Sequence, residues 1–255
     1  MSNVMAQKNE QEDFGSPKKV ALDLEGFRRR WPAPVLAIWE EGPRYLGVRI
    51  EVSAGLDQAY FRPGQYVTLK WQGEVRFFVI AHRSTRGEKH YWEFLIDRQG
   101  FFGESLQAQE PGVILEVSAP EGSGFLEEVS PGEAILFCTG SGVATMRPLI
   151  EAWLGSKSRP EKISLFVGVE SLKELPYGAL LKEWTRAGVE LYLAIGSSST
   201  GPRFVQELFL EARQDRKLDL EKAHFFLSGA PVMVSAVRAT LAPLGIDAER
   251  IHTNL

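Results

Sequence analysis

Thr139-Gly140-Ser141-Gly142-Val143-Ala144-Thr145-Met146 joins a compact apolar run, Ala134 to Cys138, to a segment where Val143, Met146, Ile150 and Trp153 recur at helical spacing. A strand that turns through two glycines into a helix lets an anion approach the backbone closely. The helix starting near Val143 directs free N–H groups and the positive end of its dipole at that point, which suits a pyrophosphate. Thr145 stands where a full G-x-G-x-x-G pattern has its third glycine, and the same two glycines also suit an ordinary strand–helix junction. Both readings stand at this point. A second turn of the same kind, Ser228-Gly229-Ala230-Pro231, adds weight to the anion-binding one.

Downstream of the first turn, strand and helix patterns alternate. Ile163 to Val167 reads as a strand, Leu180 to Ala187 as a helix closed by Gly188, and Leu191 to Ile195 as a strand. Arg203 to Gln214 is helical, His224 to Leu227 a strand, Val232 to Leu244 helical, and Arg250 to Leu255 a last short strand. Such alternation implies a parallel sheet covered on both faces. Upstream, from Ala33 to about Val129, the apolar runs are short and strand-like. They include Tyr45 to Val52, Tyr66 to Trp71, Val75 to Ala81, Tyr91 to Ile96 and Val113 to Val117. Gly42-Pro43, Pro63-Gly64, Gln72-Gly73, Arg86-Gly87 and Pro111-Gly112 separate them, so this half is expected to be an antiparallel sandwich or barrel. The change of period falls near Ser130 to Glu133.

Residues 1–18 are polar and carry too little apolar surface to order themselves. Arg28-Arg29-Arg30 reads as a solvated charge run. With 44% hydrophobic and 24% charged residues the chain has globular composition, and a net charge of -4 gives no general affinity for nucleic acid. A single cysteine, Cys138, excludes an internal disulfide and an iron–sulfur cluster held by this chain alone. There is no secretory h-region and no apolar run near the ~20 residues of a membrane span, so a cytoplasmic location is expected. His82, His90, His224 and His252 show no metal-ligand spacing, and no metal site is expected.

Several segments, in order, resemble the ferredoxin–NADP reductase superfamily. Phe61-Arg62-Pro63-Gly64-Gln65-Tyr66-Val67 is similar to its P-G-Q-Y/F strand entry, and Arg76-Phe77-Phe78-Val79-Ile80-Ala81 to its R-x-Y-S/T-I-A flavin motif. Gly100-Phe101-Phe102-Gly103-Glu104-Ser105-Leu106 resembles G-x-x-S-x-x-L, and Pro111-Gly112 with Leu115 to Pro120 continues the match. Gly140 to Met146 resembles G-T-G-I-A-P-M, Ser228 to Met233 resembles C-G-P-P-x-M, and Glu249 to Leu255 looks like the ending of a bacterial and plant subgroup. The resemblance implies a six-stranded antiparallel β-barrel binding FAD over residues 19–130. An α/β parallel-sheet domain for NADH or NADPH would follow over residues 131–255. It also implies hydride transfer from the nicotinamide to the flavin, then electron delivery to an acceptor the sequence does not name.

The resemblance assigns roles by position. Arg76 would pair with the FAD pyrophosphate, and Phe78, in place of a tyrosine, would stack on the isoalloxazine beside Phe77. Val79 replaces the serine or threonine that bonds near flavin N5, which should slow hydride transfer. Gly100, Phe102 and Gly103 would offer backbone N–H groups to the FAD phosphates, with Gly103 replacing a serine. Thr139, Gly140, Ser141, Gly142 and Gly229 would cradle the nicotinamide nucleotide, and Ser228 would replace a cysteine near its ring. Ser197 and the terminal Leu255 complete the implied cofactor contacts. Ser197 to Ser199 with the displaced Arg203 favour a 2′-phosphate, whereas Glu170 disfavours one, which leans the reading to NADH. Val79 and Ser228 carry the catalytic expectation. The substitutions there leave open a non-catalytic nucleotide-binding module, or a diaphorase subunit with iron–sulfur centres on other chains.

Overall fold

A computed structural model describes residues 29–125, 129, 132–199, 201–215 and 218–254. The expected polar tail, Arg28 and Leu255 lie outside the described residues. The first half forms strands β1 (Trp31–Glu41), β2 (Tyr45–Val52), β3 (Tyr66–Trp71), β4 (Glu74–Val79), β5 (His82–Arg86), β6 (Lys89–Asp97) and β7 (Ile114–Val117). They pair antiparallel in the order β4-β3-β7-β1-β2-β6-β5. The two ends of that sheet, β4 and β5, are separated only by Ile80-Ala81. Ile80 N–H still donates to Gln65 beside β3 at 3.1 Å, while Ala81 N–H already donates to Glu93 of β6 at 2.9 Å. A single bent strand thus borders both ends of the sheet and curls it into the shape of a six-stranded barrel.

Val35, Val48, Ile50, Val67, Leu69, Trp92, Phe94 and Leu115 fill the barrel. Helix α1 (Ala54–Gln58) packs Leu56 onto it, and α2 (Phe101–Gln107) adds Phe102 and Leu106. The period of two that fills the inside also sets what faces out. On β2, Leu46, Val48 and Ile50 point inward while Tyr45 joins a different core; on β6, Phe94 and Ile96 point inward and Leu95 does not.

The second half is a parallel sheet of β8 (Glu133–Thr139), β9 (Lys162–Val169), β10 (Val189–Ile195), β11 (His224–Ser228) and β12 (Ile251–Thr253), ordered β10-β9-β8-β11-β12. Side chains of the fully buried β8 alternate between two cores. Ala134, Leu136 and Cys138 meet α3 (Val143–Gly155) and α4 (Gly178–Arg186), whereas Ile135 and Phe137 meet α5 (Val205–Gln214) and α6 (Pro231–Leu241).

Tyr45, Ala81 and Leu95 of the barrel share one apolar cluster with Phe125, Val143, Met146 and Trp153. Beside it, Arg147 of α3 donates to Glu93 of β6 at 3.0 Å and to Glu151 at 2.8 Å, and Glu151 meets His82 of β5 at 2.6 Å. Burial works against the Arg147 charge, but Glu151 and Glu93 outweigh it and raise the pKa of the guanidinium. Glu41 of β1 also accepts the backbone N–H of Tyr177 at 2.9 Å. The two halves are therefore joined by core packing and by charge.

Candidate functional site

The strand order of the parallel sheet reverses direction between β8 and β11, so the chain leaves neighbouring strands toward opposite faces. A crevice opens there beyond their carboxyl ends. The turn after β8 is a single 3-10 turn, Gly140–Gly142, running into α3. Gly140 has φ +51°, a left-handed conformation that favours glycine. Gly142 answers a different need. A Cβ there would stand 2.5 Å from the Ser228 carbonyl oxygen, so this glycine lets the two turns lie against each other. Thr139 Oγ1 fastens them by accepting the Ala230 N–H at 3.2 Å.

A cleft of about 580 Å³ extends from these turns across the ends of β9 and β10. Thr139, Gly140, Ser141 and Gly229 line it, with Glu170 at the end of β9 and Arg203 before α5. The Arg203 guanidinium folds back to donate to Gly196 O at 2.7 Å, which returns the displaced arginine to the end of β10. Ser197 lies in that turn, its N–H donating to Glu170 O at 2.9 Å, and is not part of the cleft wall. Phe204 and Val232, at the starts of α5 and α6, line the mouth with large exposed apolar side chains. From the barrel come Arg44, Tyr45 and Asp97. Arg44 bonds Asp97 and Glu174. Burial opposes its charge, but the hydrogen bonds to Glu174 and Asp97 prevail and raise its pKa.

A second cavity of about 290 Å³ lies between barrel and sheet, lined by Phe77, Phe78, Val79, Leu95, Ser228 and Asn254 among others. Ser141 and Gly229 border both spaces, so the cleft leads over the glycine turn into the interdomain cavity. Strand pairing decides which motif side chains face it. Val67 and Leu69 with Phe78 share the face of the barrel core, while Tyr66↔Val79 and Thr68↔Phe77 share the other one. Phe78 packs against Phe94 and Phe102, with ring centroids 6.4 and 5.1 Å away. Phe77 is 55% exposed and meets Tyr66 edge-on. The outward aromatic of the motif is thus Phe77, and the side chain presented beside it is the methyl-bearing Val79.

The remaining expected positions are placed as follows. Ser228 is buried and its hydroxyl donates to Thr145 at 2.9 Å. Arg76 is exposed, is ion-paired with Glu74 and borders neither cavity. Gly100, Phe102 and Gly103 also line neither. Phe102 and Gly103 lie on the buried face of α2, and a Cβ on Gly103 would overlap the Asp97 carbonyl, so the serine of the family motif has no room there. Cys138 is fully buried and burial pushes its thiol pKa far up, which leaves it an inert core residue. Among the described residues no group of three or more His, Cys, Asp or Glu could hold a metal ion. No described helix is long and apolar enough to cross a membrane.

Sequence reasoning missed Arg44, Tyr45, Asp97, Phe204 and Val232. The available signal was phase. Tyr45 and Leu95 are apolar-bodied residues on the face of a barrel strand that should be polar if it met water.

Residues 136–239 match the family described as "Oxidoreductase NAD-binding domain". The chain is 26% identical over 226 residues to the ferredoxin–NAD(P)(+) reductase component of naphthalene 1,2-dioxygenase/salicylate 5-hydroxylase systems from Ralstonia sp. That match covers 86% of this chain and 67% of the relative. It is 25% identical over 210 residues to sulfhydrogenase 2 subunit gamma of Pyrococcus furiosus, covering 76% of this chain and 72% of that one. Among solved structures, a ferredoxin NADP+ reductase from Neisseria gonorrhoeae with bound FAD and NADP superposes with a TM-score of 0.71 at 17% identity. The superposition covers 88% of this chain and 97% of that one. The chain therefore has the two-domain fold of that ferredoxin NADP+ reductase, and its residues 136–239 are similar to oxidoreductase NAD-binding domains.

Proposed function

We propose that this chain is an NAD(P)H-dependent flavin oxidoreductase that uses NADH in preference to NADPH and delivers electrons to a separate acceptor. The observation that carries the proposal is the continuity of the two spaces at Ser141 and Gly229. A dinucleotide lying along the cleft, with its pyrophosphate on the Gly140–Gly142 turn, has its nicotinamide end directed into the interdomain cavity. The residues present fit such a ligand. The left-handed Gly140 leaves the turn without a side chain where phosphates approach, and Phe204 with Val232 suits the two faces of a purine. Glu170 suits ribose hydroxyls and repels a 2′-phosphate, which supports NADH.

The cavity wall fits a flavin ring, because Phe77 offers a half-exposed aromatic face next to Val79 and Leu95. Arg76 is the residue available for its phosphate end, shared with Glu74. A bound flavin supplies an acceptor for the nicotinamide hydride that can then release electrons one or two at a time. The chain's own part is to hold both groups against one another in the interdomain cavity. With one cysteine, these 255 residues cannot by themselves hold an iron–sulfur cluster. The names of the relatives support a ferredoxin-type acceptor or a subunit role in a larger redox complex.

An absorption spectrum of the purified chain incubated with FAD, recorded before and after anaerobic NADH, tests this. Bleaching of bound flavin supports the reading, and a folded chain that binds no flavin overturns it. A specific pair of observations favours a second reading. Glu74 competes for Arg76, and Val79 brings no hydroxyl, which suits a dinucleotide-binding module without turnover. Dinucleotide binding with flavin left oxidised selects that one.

A further inference from the structure

Tyr45 opens β2 of the barrel, yet its buried ring lines the cleft of the other domain. Its hydroxyl stands beside the glycine turn, since a Cβ on Gly140 would come within 2.8 Å of it. The Arg44 guanidinium lies 5.5 Å from the ring centroid and is held by Asp97 at 2.9 Å and Glu174 at 3.1 Å. A phenol hydroxyl has a proton to donate. Burial raises the pKa of this phenol against the opposing pull of Arg44, so the hydroxyl is protonated at neutral pH.

We propose that Tyr45 is a dinucleotide-binding residue supplied by the barrel, whose hydroxyl donates to a phosphate oxygen of a pyrophosphate seated on the Gly140–Gly142 turn. The proposal rests on the dinucleotide reading given under Proposed function and extends it. The phosphate site is complete only when the barrel is packed on the parallel sheet. Arg44 is tied in place beside it by two carboxylates, one from each half of the molecule, which offset its charge.

The test compares the full-length chain with its Tyr45→Phe variant, which keeps the ring and removes only the hydroxyl. ADP-ribose is titrated by calorimetry and adenosine by NMR, and melting temperature reports whether the variant keeps its fold. A hydrogen bond to a charged oxygen predicts about a tenfold weaker Kd for ADP-ribose in the variant. Adenosine, which has no phosphate, should bind both proteins equally. Unchanged ADP-ribose affinity in a folded variant overturns the role of Tyr45 alone. Equal weakening of both ligands overturns it too, because that marks a lost cleft shape and not a lost donor. A wild-type chain that binds no ADP-ribose overturns the dinucleotide reading itself.

Discussion

Val79 brings two methyl groups to a cavity wall that mixes apolar rings with Ser141, Thr145, Ser228 and Asn254, and its outward direction is set by pairing with Tyr66. Threonine has nearly the same shape, so Val79→Thr tests the hydroxyl with little change in packing. Anaerobic stopped-flow reduction of the flavin-loaded variant by NADH should be roughly fivefold faster than wild type, on the order of one ~1 kcal/mol hydrogen bond gained in the transition state. An unchanged or slower rate would show that a hydroxyl at this position has no part in the transfer. The residue scale is also where the sequence was hardest to read. Gly140 and Gly142 look equivalent in the run, but one serves a left-handed backbone and the other the approach of the Ser228 carbonyl, and that distinction depends on a strand about ninety residues away. Phe77 and Phe78 are adjacent and chemically identical. Only the register against Val67 and Thr68 tells which one turns outward.

At the scale of elements, β11 and β12 carry a stacked histidine pair at the edge of the parallel sheet. His224 Nδ1 and His252 Nε2 are 3.0 Å apart, and His252 also stacks on Phe226. Burial lowers both pKa values, with Arg250 adding to it at His224 and His224 adding to it at His252. The unfolded chain therefore binds protons before the native one does. Their contribution to stability is complete above the ordinary value of 6.5 and is lost as pH falls below it toward the lowered native values. Urea midpoints at pH 8 and pH 5.5 check this. Wild type should lose more stability between them than His252→Phe, and equal losses would remove the pair from the account. Most elements were legible, because β8, β9 and β11 are near-continuous apolar runs and the helices between the strands follow a 3.6 period. His82–Arg86 was not, since His-Arg-Ser-Thr-Arg contains no apolar residue and its strand character comes wholly from pairing with β6.

For the whole molecule, the decisive fact is that barrel and parallel sheet are not independent bodies. Glu93 is almost fully buried between Arg49 and Arg147, and Arg147 also covers the Tyr177 ring at 5.3 Å. Arg147→Met would leave the Glu93 carboxylate with Arg49 alone and free Glu151 from its i,i+4 partner. Breaking a buried pair on one side costs about 3–5 kcal/mol, so the variant should show a large drop in urea midpoint or split one transition into two. A loss under about 1 kcal/mol would mean that apolar packing alone joins the halves. Two periods in one chain made the two-layer plan legible. Their mutual docking was not, because it rests on out-of-phase residues such as Tyr45 and Leu95 that look like ordinary strand positions.

That shared core has a kinetic meaning. Tyr45 and Leu95 are packed with Val143 and Met146, the residues directly beneath the glycine turn, so the walls of the cleft stand in place before anything enters. Walls already packed in this way predict capture as a single encounter, with an observed rate that rises linearly with ligand concentration instead of levelling at the speed of a domain motion.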